Sequence, residues 1–190
     1  MKINPIKLYG NWDEGWALDK HVISSIFIDT DIYGHERYDT TRSELGELLY
    51  NFKYKGKHEN LDKIIEIIKP FLDEWHILKT IDIVLPVPST KARNYQPANE
   101  IAYAIAEIYK LHYSDDVLEK VSNIESKNMD RSNKNLDGII IVKKGANRRH
   151  NILLVDDLYS TGGTLQECVK ELRKDPLLNK IYVLTITKTR

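Results

Sequence analysis

The sequence predicts an α/β protein whose central sheet is mostly parallel, has five strands and is flanked by helices. Five short apolar segments have the length of strands, and several are apolar at consecutive positions, as in strands covered on both faces. Segments with helical periodicity alternate with them, which is typical of α/β layers. The predicted strands are residues 81–88, 116–121, 138–142, 151–157 and 180–188.

Three helices are predicted from the spacing of apolar residues. Residues 59–75 and 96–112 carry isoleucines three or four positions apart, which lines one face of a helix. A third helix, residues 162–174, follows the strand at 151–157 after a short polar loop. The strand, loop and helix therefore form one continuous unit.

Composition narrows the functional classes. The chain has 190 residues, 42% of them hydrophobic, which is enough for one domain with a buried core and a small appendage. Lys plus Arg and Asp plus Glu both number 28, so no overall attraction to nucleic acid or anionic lipid is expected. Any anion-binding site must be local.

Cysteine usage and the absence of a leader pattern favour a cytoplasmic protein. Cys168 is the single cysteine, so neither an intrachain disulfide nor a cysteine-rich zinc site is available. No basic segment followed by an apolar run opens the chain, and the longest apolar runs have strand length. We therefore expect no membrane association.

Two domains are predicted. Residues 1–45 form an N-terminal cap, or hood, with a β-hairpin, and residues 46–190 form the α/β core. The cap is rich in aromatic residues, which could stack on a flat ring, form the cap's own small core or make a dimer contact. These residues are Trp12, Trp16, Tyr33 and Tyr38.

The segment NILLVDDLYSTGGTL, residues 151–165, carries the chemistry. Asp156 and Asp157 follow a buried strand, at the end where open α/β sheets bind ligands. Adjacent carboxylates accept hydrogen bonds from vicinal hydroxyls or lie near a divalent metal carried by a phosphorylated ligand. The next loop offers hydroxyls, unobstructed backbone N–H groups and a helix N-terminus, which together suit a monophosphate. Its residues are Ser160, Thr161, Gly162, Gly163 and Thr164.

A purely structural interpretation of this loop is helix capping by Ser160 or Thr161. The conjunction of strand, acid pair, small-residue loop and helix in one segment favours a ligand site over capping alone. The loop lacks the lysine of a Walker A motif and is not a G-x-G-x-x-G sequence. A kinase and a dinucleotide-binding protein are therefore both disfavoured.

The segment ILLVDDLYSTGGTL resembles the signature with which type I phosphoribosyltransferases bind phosphoribosyl pyrophosphate (PRPP). Residues 48–68 and 81–107 are similar in order and spacing to the corresponding segments of ComF-like proteins, a branch related to a bacterial competence factor. The resemblance extends from about residue 48 to the C-terminus. It implies the type I phosphoribosyltransferase fold and a homodimer.

The resemblance also implies roles for individual residues. Asp156 and Asp157 would hold the ribose hydroxyls and act in catalysis, and residues 160–164 would wrap the 5′-phosphate. Arg131, in the polar segment 126–138, would close over the site as part of a flexible loop. Mg²⁺ would arrive with PRPP rather than on a protein ligand. The pyrophosphate loop would comprise Pro88, Ser89, Thr90, Lys91 and Arg93.

Three departures from the family pattern bear on function. The single cysteine cannot form the four-cysteine zinc module with which ComF-like proteins often begin. Ser160 stands where purine phosphoribosyltransferases commonly have an acid, and serine is a poor general base without an activating partner. Gly163 stands where the same enzymes often have lysine. The acceptor therefore stays unidentified, with a nucleobase as one candidate.

Three functional hypotheses follow. The first is a Mg²⁺-dependent phosphoribosyltransferase that releases pyrophosphate. The second is a non-catalytic protein that binds PRPP or a nucleotide in regulation or in DNA uptake and processing. The third, a structural module with a degenerate site, is disfavoured by the intact signature. A working loop at residues 126–138 and a base pocket would favour the enzyme.

Overall fold

A computed structural model of the chain describes residues 3–89, 95–121 and 139–189. From residue 83 onward, α3 follows β5 and α4 follows β9, with the strands β6 to β8 between these two units. The strands are β1 (Ile6–Lys7), β2 (Glu14–Lys20), β3 (Val22–Thr30), β4 (Glu36–Arg42), β5 (Ile83–Pro86), β6 (His112–Tyr113), β7 (Leu118–Lys120), β8 (Ile140–Val142), β9 (His150–Tyr159) and β10 (Leu178–Lys188). The helices are α1 (Glu44–Tyr54), α2 (Asn60–Glu74), a 3₁₀ turn (His76–Thr80), α3 (Pro97–Tyr109) and α4 (Gly163–Leu172).

The predicted α/β class with a mostly parallel central sheet is confirmed. The described strands form a six-stranded sheet in the order β1-β2-β10-β9-β5-β6. All neighbouring pairs are parallel except β1 and β2. The three predicted helices are confirmed as α2, α3 and α4. The described helices include none with the length and apolar character that a membrane span needs.

The two faces of the sheet are covered by different elements. Because side chains alternate along a strand, Leu153 and Val155 of β9 point to one face and Ile152 and Leu154 to the other. The first face, here called face A, packs against α1, α2 and α3. The second, face B, packs against α4 and the β7–β8 pair. Burial on both faces explains the consecutive apolar residues of β9.

Two of the five predicted sheet strands lie elsewhere. Residues 116–121 and 138–142 were expected in the central sheet, but in the described part of the chain β7 and β8 pair with each other, antiparallel, as a separate ribbon. The ribbon is covered on one side only: Ile140 is 1% exposed, whereas Ile141 is 40% exposed. The apolar run at residues 139–142 thus has the sequence of a strand covered on both faces, but only one of its faces is buried.

The N-terminal segment contributes to both the central sheet and a projecting hairpin. β2 lies beside β10 in the central sheet, with Ala17 and Leu18 fully buried. β3 and β4 form a separate two-stranded sheet, and neither core cluster includes any of their residues. The proposed division of the chain at residue 45 stays a prediction.

Helix α1 was not predicted, although its start has a clear physical basis. The Ser43 hydroxyl accepts a hydrogen bond from the Gly46 N–H at 3.0 Å, which caps the helix. Leu45, Leu49 and Phe52 of this helix are buried in the face A core. This packing holds the C-terminal turn of α1 beside the end of β9.

Because the ribbon is covered on one side only, substitutions at two neighbouring isoleucines should lower the free energy of unfolding by very different amounts. Ile140→Ala should lower the free energy of unfolding by about 2–4 kcal/mol, because it leaves a cavity in a packed cluster. Ile141→Ala, at the exposed neighbour, should cost less than about 1 kcal/mol. Urea denaturation followed by circular dichroism measures both. Equal, large losses would instead indicate a strand covered on both faces.

Candidate active site

The site lies where the chain connections leave the sheet in opposite directions. From β5 the chain continues through α3, on face A, to β6. From the neighbouring strand β9 it continues through α4, on face B, to β10. Such a switch point opens a crevice at the carboxyl ends of the two strands. Pairing of β5 with β9 ends at Pro86 and Val155, so the crevice begins directly at Asp156.

The two carboxylates at this point have different surroundings. Because side chains alternate along β9, Asp156 lies on the side of face B and Asp157 on the side of face A. Asp157 is buried, and Asp156 is partly buried. The backbone N–H of Asp157 donates a hydrogen bond to Asp156 Oδ1 at 2.8 Å. Both side chains still line the same cleft.

Lys53 neutralises one of the two acids. Its Nζ lies 2.5 Å from Asp157 Oδ2, and the two side chains are only 19% and 11% exposed. Lys53 stands one residue after the buried Phe52, in the last turn of α1. The sequence analysis missed this residue, because no local pattern connects a lysine on α1 with an acid about a hundred positions later.

Among the described residues Asp156 forms no ion pair, and its pKa is raised. Burial is the main cause, and the adjacent charge of Asp157 raises the pKa further. Lys53 and the Asp157 N–H act in the opposite direction but do not cancel these effects. Asp156 is therefore poised to hold a proton, or to ionise when a cation or a set of hydroxyl groups enters the cleft.

The small-residue loop after β9 forms a cradle at the start of α4. Gly162 has φ +80°, and a Cβ there would lie 2.5 Å from the Tyr159 hydroxyl oxygen. Glycine is thus required both by the backbone conformation and by the Tyr159 ring. The loop lines a cavity of about 90 Å³, which has room for about three waters at ~30 Å³ each.

Capping does not explain this loop. The residue preceding α4 is Gly162, and no side chain caps the helix. The alternative in which Ser160 or Thr161 serves only as the helix cap is therefore wrong. The first N–H groups of a helix have no intrahelical partner and carry partial positive charge, which favours an anion. The cavity at the start of α4 is suited to a single oxyanion.

A larger cleft of about 320 Å³ adjoins the cradle and shares Asp156 and Thr164 with it. It brings the acids together with Pro88 and Ser89 of the predicted pyrophosphate loop. Thr90, Lys91, Arg93 and Arg131 lie outside the described residues. The remaining lining residues, which the sequence analysis did not single out for the site, are Lys53, Tyr54, Val87, Gln96, Pro97, Ala98 and Lys120.

The four aromatic residues of the N-terminal segment that were considered for stacking do not form a common platform. Trp12 is 7% exposed and donates from its ring nitrogen to the Leu8 carbonyl at 3.0 Å. Trp16 lies in β2 and packs edge-on against Phe71. Tyr33 and Tyr38 are exposed on the β3–β4 hairpin. None of the four is among the described residues that line the cleft, and a stacking role for any of them stays a prediction.

The cleft residues fit a magnesium ion that arrives on a phosphorylated ligand. Mg²⁺ prefers oxygen ligands and is often held by one or two carboxylates together with substrate phosphates. Asp156 could supply such an oxygen, since the Asp157 carboxylate is paired with Lys53. Among the described residues, no group of three or more His, Cys, Asp or Glu side chains is placed to hold a metal by itself.

No protein-family model and no curated protein matches this sequence. Among solved structures, phosphoribosylpyrophosphate synthetase from Mycobacterium smegmatis matches with a TM-score of 0.43 and 18% identity, over 65% of this chain and 32% of that one. The match thus spans about a third of the mycobacterial chain.

Two further solved structures match over most of this chain. Orotate phosphoribosyltransferase from Aeropyrum pernix has a TM-score of 0.45 and 12% identity, over 88% of this chain and 76% of that one. Adenine phosphoribosyltransferase from Thermoanaerobacter pseudethanolicus has a TM-score of 0.46 and 14% identity, over 87% of this chain and 95% of that one. These similarities are too low to transfer a substrate or a residue role.

The different surroundings of the two acids predict stability changes of opposite sign. A carboxyl whose pKa is raised by folding destabilises the folded state as the pH rises above its unfolded pKa of about 3.9. Asp156→Asn should therefore increase the free energy of unfolding at pH 8 by about 1 kcal/mol or more. The gain should vanish near pH 3, where the carboxyl is neutral in both states.

Asp157→Asn serves as the matched comparison. It leaves Lys53 without its partner, so it should lower the free energy of unfolding by about 2 kcal/mol, less than a fully buried pair would lose. Urea denaturation at pH 3 and pH 8 measures both variants. Destabilisation by Asp156→Asn at pH 8 would contradict the assigned difference between the acids.

Proposed function

We propose that this protein is a phosphoribosyltransferase that binds PRPP with Mg²⁺, transfers phosphoribose to an acceptor and releases pyrophosphate. The observation that carries the proposal is the junction of two cavities at Asp156 and Thr164. A cradle for one oxyanion adjoins a larger cleft that contains two carboxylates. PRPP has the matching order of groups: a 5′-phosphate, a ribose with vicinal hydroxyls, and a diphosphate at the anomeric carbon.

Each part of the site would take one part of PRPP. The 5′-phosphate would accept hydrogen bonds from the loop at residues 160–164 and from the N-terminus of α4. The ribose hydroxyls would donate to Asp156 and Asp157. The diphosphate would then extend toward Pro88 and Ser89, which line the same cleft. The assignment of Thr90, Lys91 and Arg93 to this loop, and of Arg131 to a closing loop, stays a prediction from the sequence.

In the transfer step, the bond from the anomeric carbon to the diphosphate oxygen breaks and a bond to the acceptor forms. Pyrophosphate leaves with the bonding electron pair, and the acceptor loses a proton. Negative carboxylates beside the ribose would stabilise the positive charge that develops at the anomeric carbon. Bound Mg²⁺ would neutralise part of the negative charge on the departing diphosphate. Lys53 would hold Asp157 in place, which makes it a positioning residue.

The alternative is a protein that binds PRPP or a nucleotide without turnover, in regulation or in DNA uptake and processing. The same cradle and acid pair fit that function. A nucleobase is one candidate acceptor, although Ser160 supplies no evident base at the position where purine enzymes commonly have an acid. Release of pyrophosphate in the presence of an acceptor distinguishes transfer from binding alone. A cytoplasmic location and the ComF-like branch stay predictions.

Calorimetric titration of PRPP into the protein, with and without Mg²⁺, tests the proposal. We expect binding that Asp156→Asn combined with Asp157→Asn weakens at least a hundredfold, because two charged partners of the ribose are lost. The matched control is Asp62→Asn combined with Glu66→Gln, which removes two exposed acids of α2. Absence of PRPP binding to the unmodified protein would exclude both the transferase and the PRPP-binding alternative.

We also propose that the protein is a homodimer in which the β3–β4 hairpin forms the contact. A two-stranded sheet is marginally stable by itself, yet this hairpin exposes five large apolar side chains. Ile23, Ile26, Ile28 and Ile32 are between 60% and 92% exposed, and Phe27 is 52% exposed. A second copy of the same hairpin would cover the face that carries Ile26 and Ile28 through an isologous contact.

Light scattering after size-exclusion chromatography tests the dimer. The unmodified chain should have the mass of two copies, and Ile26→Ser combined with Ile28→Ser should reduce it to one. The control is Ile108→Ser combined with Ile141→Ser, which removes two isoleucines that are each 40% exposed outside the hairpin. A monomeric unmodified chain, or a hairpin variant that stays dimeric, would contradict this interface.

A further inference from the structure

A second cavity, of about 550 Å³, opens at the opposite end of β5 and β9. It is larger than the cleft at the acid pair and shares no lining residue with it. Along β9 the lining residues Ile152 and Asp156 are about 13 Å apart at ~3.3 Å per residue, whereas Leu85 lines this cavity and Val87, two residues later, lines the cleft. The volume lies within the range of about 300–1,000 Å³ that is usual for small-molecule sites.

The cavity has an aliphatic floor and a basic rim. Ile83, Leu85 and Ile152 form the floor on face B, with Val117 and Leu178 at its edges. The titratable groups of the lining are Asp82, His112, Lys144, Arg148 and His150. An apolar floor with a few convergent polar groups is the usual character of a site for a small organic molecule.

The acids near the cavity are already engaged by protein groups. Asp82 accepts a hydrogen bond from the Asn151 N–H at 2.7 Å. Asp116, beside the rim, is paired with Lys144 and also accepts from Ser114. Asp175 accepts from the Ala146 N–H at 2.7 Å, which anchors the loop that forms one wall. The wall is thus built by fixed contacts before any ligand arrives.

Two basic groups at the cavity lack partners. Arg148 makes no hydrogen bond or ion pair with the described part of the chain. His150 Nδ1 is buried and has no hydrogen-bond partner among the described residues. A buried polar atom without a partner costs about 1–3 kcal/mol, so such atoms in native proteins usually mark a missing ligand or water. Arg148 is exposed at the rim and available to an incoming molecule, whereas His150 Nδ1 would need a small movement of the ring to meet one.

We propose that this cavity is a second binding site, for a small organic anion with an apolar ring body and a carboxylate or phosphate group. The ring body would cover the aliphatic floor. The anionic group would accept hydrogen bonds from the Arg148 guanidinium and from His150 Nδ1 in the form that carries a proton. The proposal does not depend on PRPP binding, since the two cavities share no residue.

Methyl NMR of the full chain, labelled at Ile, Leu and Val, tests this site with three probes of the same ring body. The probes are 1-naphthyl phosphate, 1-naphthoate and the uncharged 1-naphthol. We expect at least one anion to shift the methyl signals of Ile83, Leu85, Ile152 and Leu178 at concentrations where 1-naphthol does not. Comparison of the two anions identifies the preferred head group, and Val87 reports on any binding in the acid-pair cleft instead.

Neighbouring arginines supply the matched variants. Arg148→Gln should weaken anion binding about tenfold, the loss expected for one charge-assisted hydrogen bond. Arg149→Gln, at an exposed residue that does not line the cavity, should leave binding unchanged. The proposal is overturned if no probe shifts the floor methyls, if 1-naphthol binds as tightly as the anions, or if both variants weaken binding equally.

Discussion

The arrangement of the site depends on a single electrostatic constraint: two adjacent carboxylates lie at the end of a buried strand, and among the described residues only Asp157 has an ion-pair partner, Lys53. Strand geometry sends Asp156 and Asp157 to opposite sides of β9, so only Asp157 lies on the side of α1, where Lys53 stands. Lys53 pairs with Asp157, and Asp156 keeps a raised pKa because burial and the neighbouring charge both oppose its ionisation. A ligand that brings hydroxyl groups or a cation would relieve this unfavourable charge.

The surrounding fold keeps this arrangement in place. Burial of β9 on both faces fixes its register between β5 and β10, and the opposite courses of α3 and α4 open the crevice at its end. Gly162 then turns the chain into α4 in a conformation that a larger residue would not adopt beside Tyr159. The cradle and the acid pair are consequently held rigidly relative to each other, as positioning of a substrate requires.

The sequence predicted the continuous part of the candidate site and, by resemblance, Pro88 and Ser89, but missed the residues that other elements contribute. Asp156, Asp157 and residues 160–164 lie in one segment, so strand, loop and helix could be inferred from local pattern alone. Lys53, Tyr54 and Lys120 reach the cleft from other elements. The pairing of Lys53 with Asp157 depends on how α1 packs, and α1 itself was not predicted. The placement of residues 138–142 in the central sheet was wrong for a related reason. An apolar run does not reveal whether a second layer covers its other face, and Ile141 is exposed.

What the sequence determined by itself was the α/β class, the three helices α2, α3 and α4, and the acid-and-loop segment, because each follows from local periodicity or local chain chemistry. Only the tertiary structure decided which strands share the central sheet, which acid is neutralised and where a second cavity opens. Those features depend on contacts between residues far apart in the chain. The free energies of such contacts come from packing and from the removal of water between distant segments. The sequence of a short segment therefore does not reveal them.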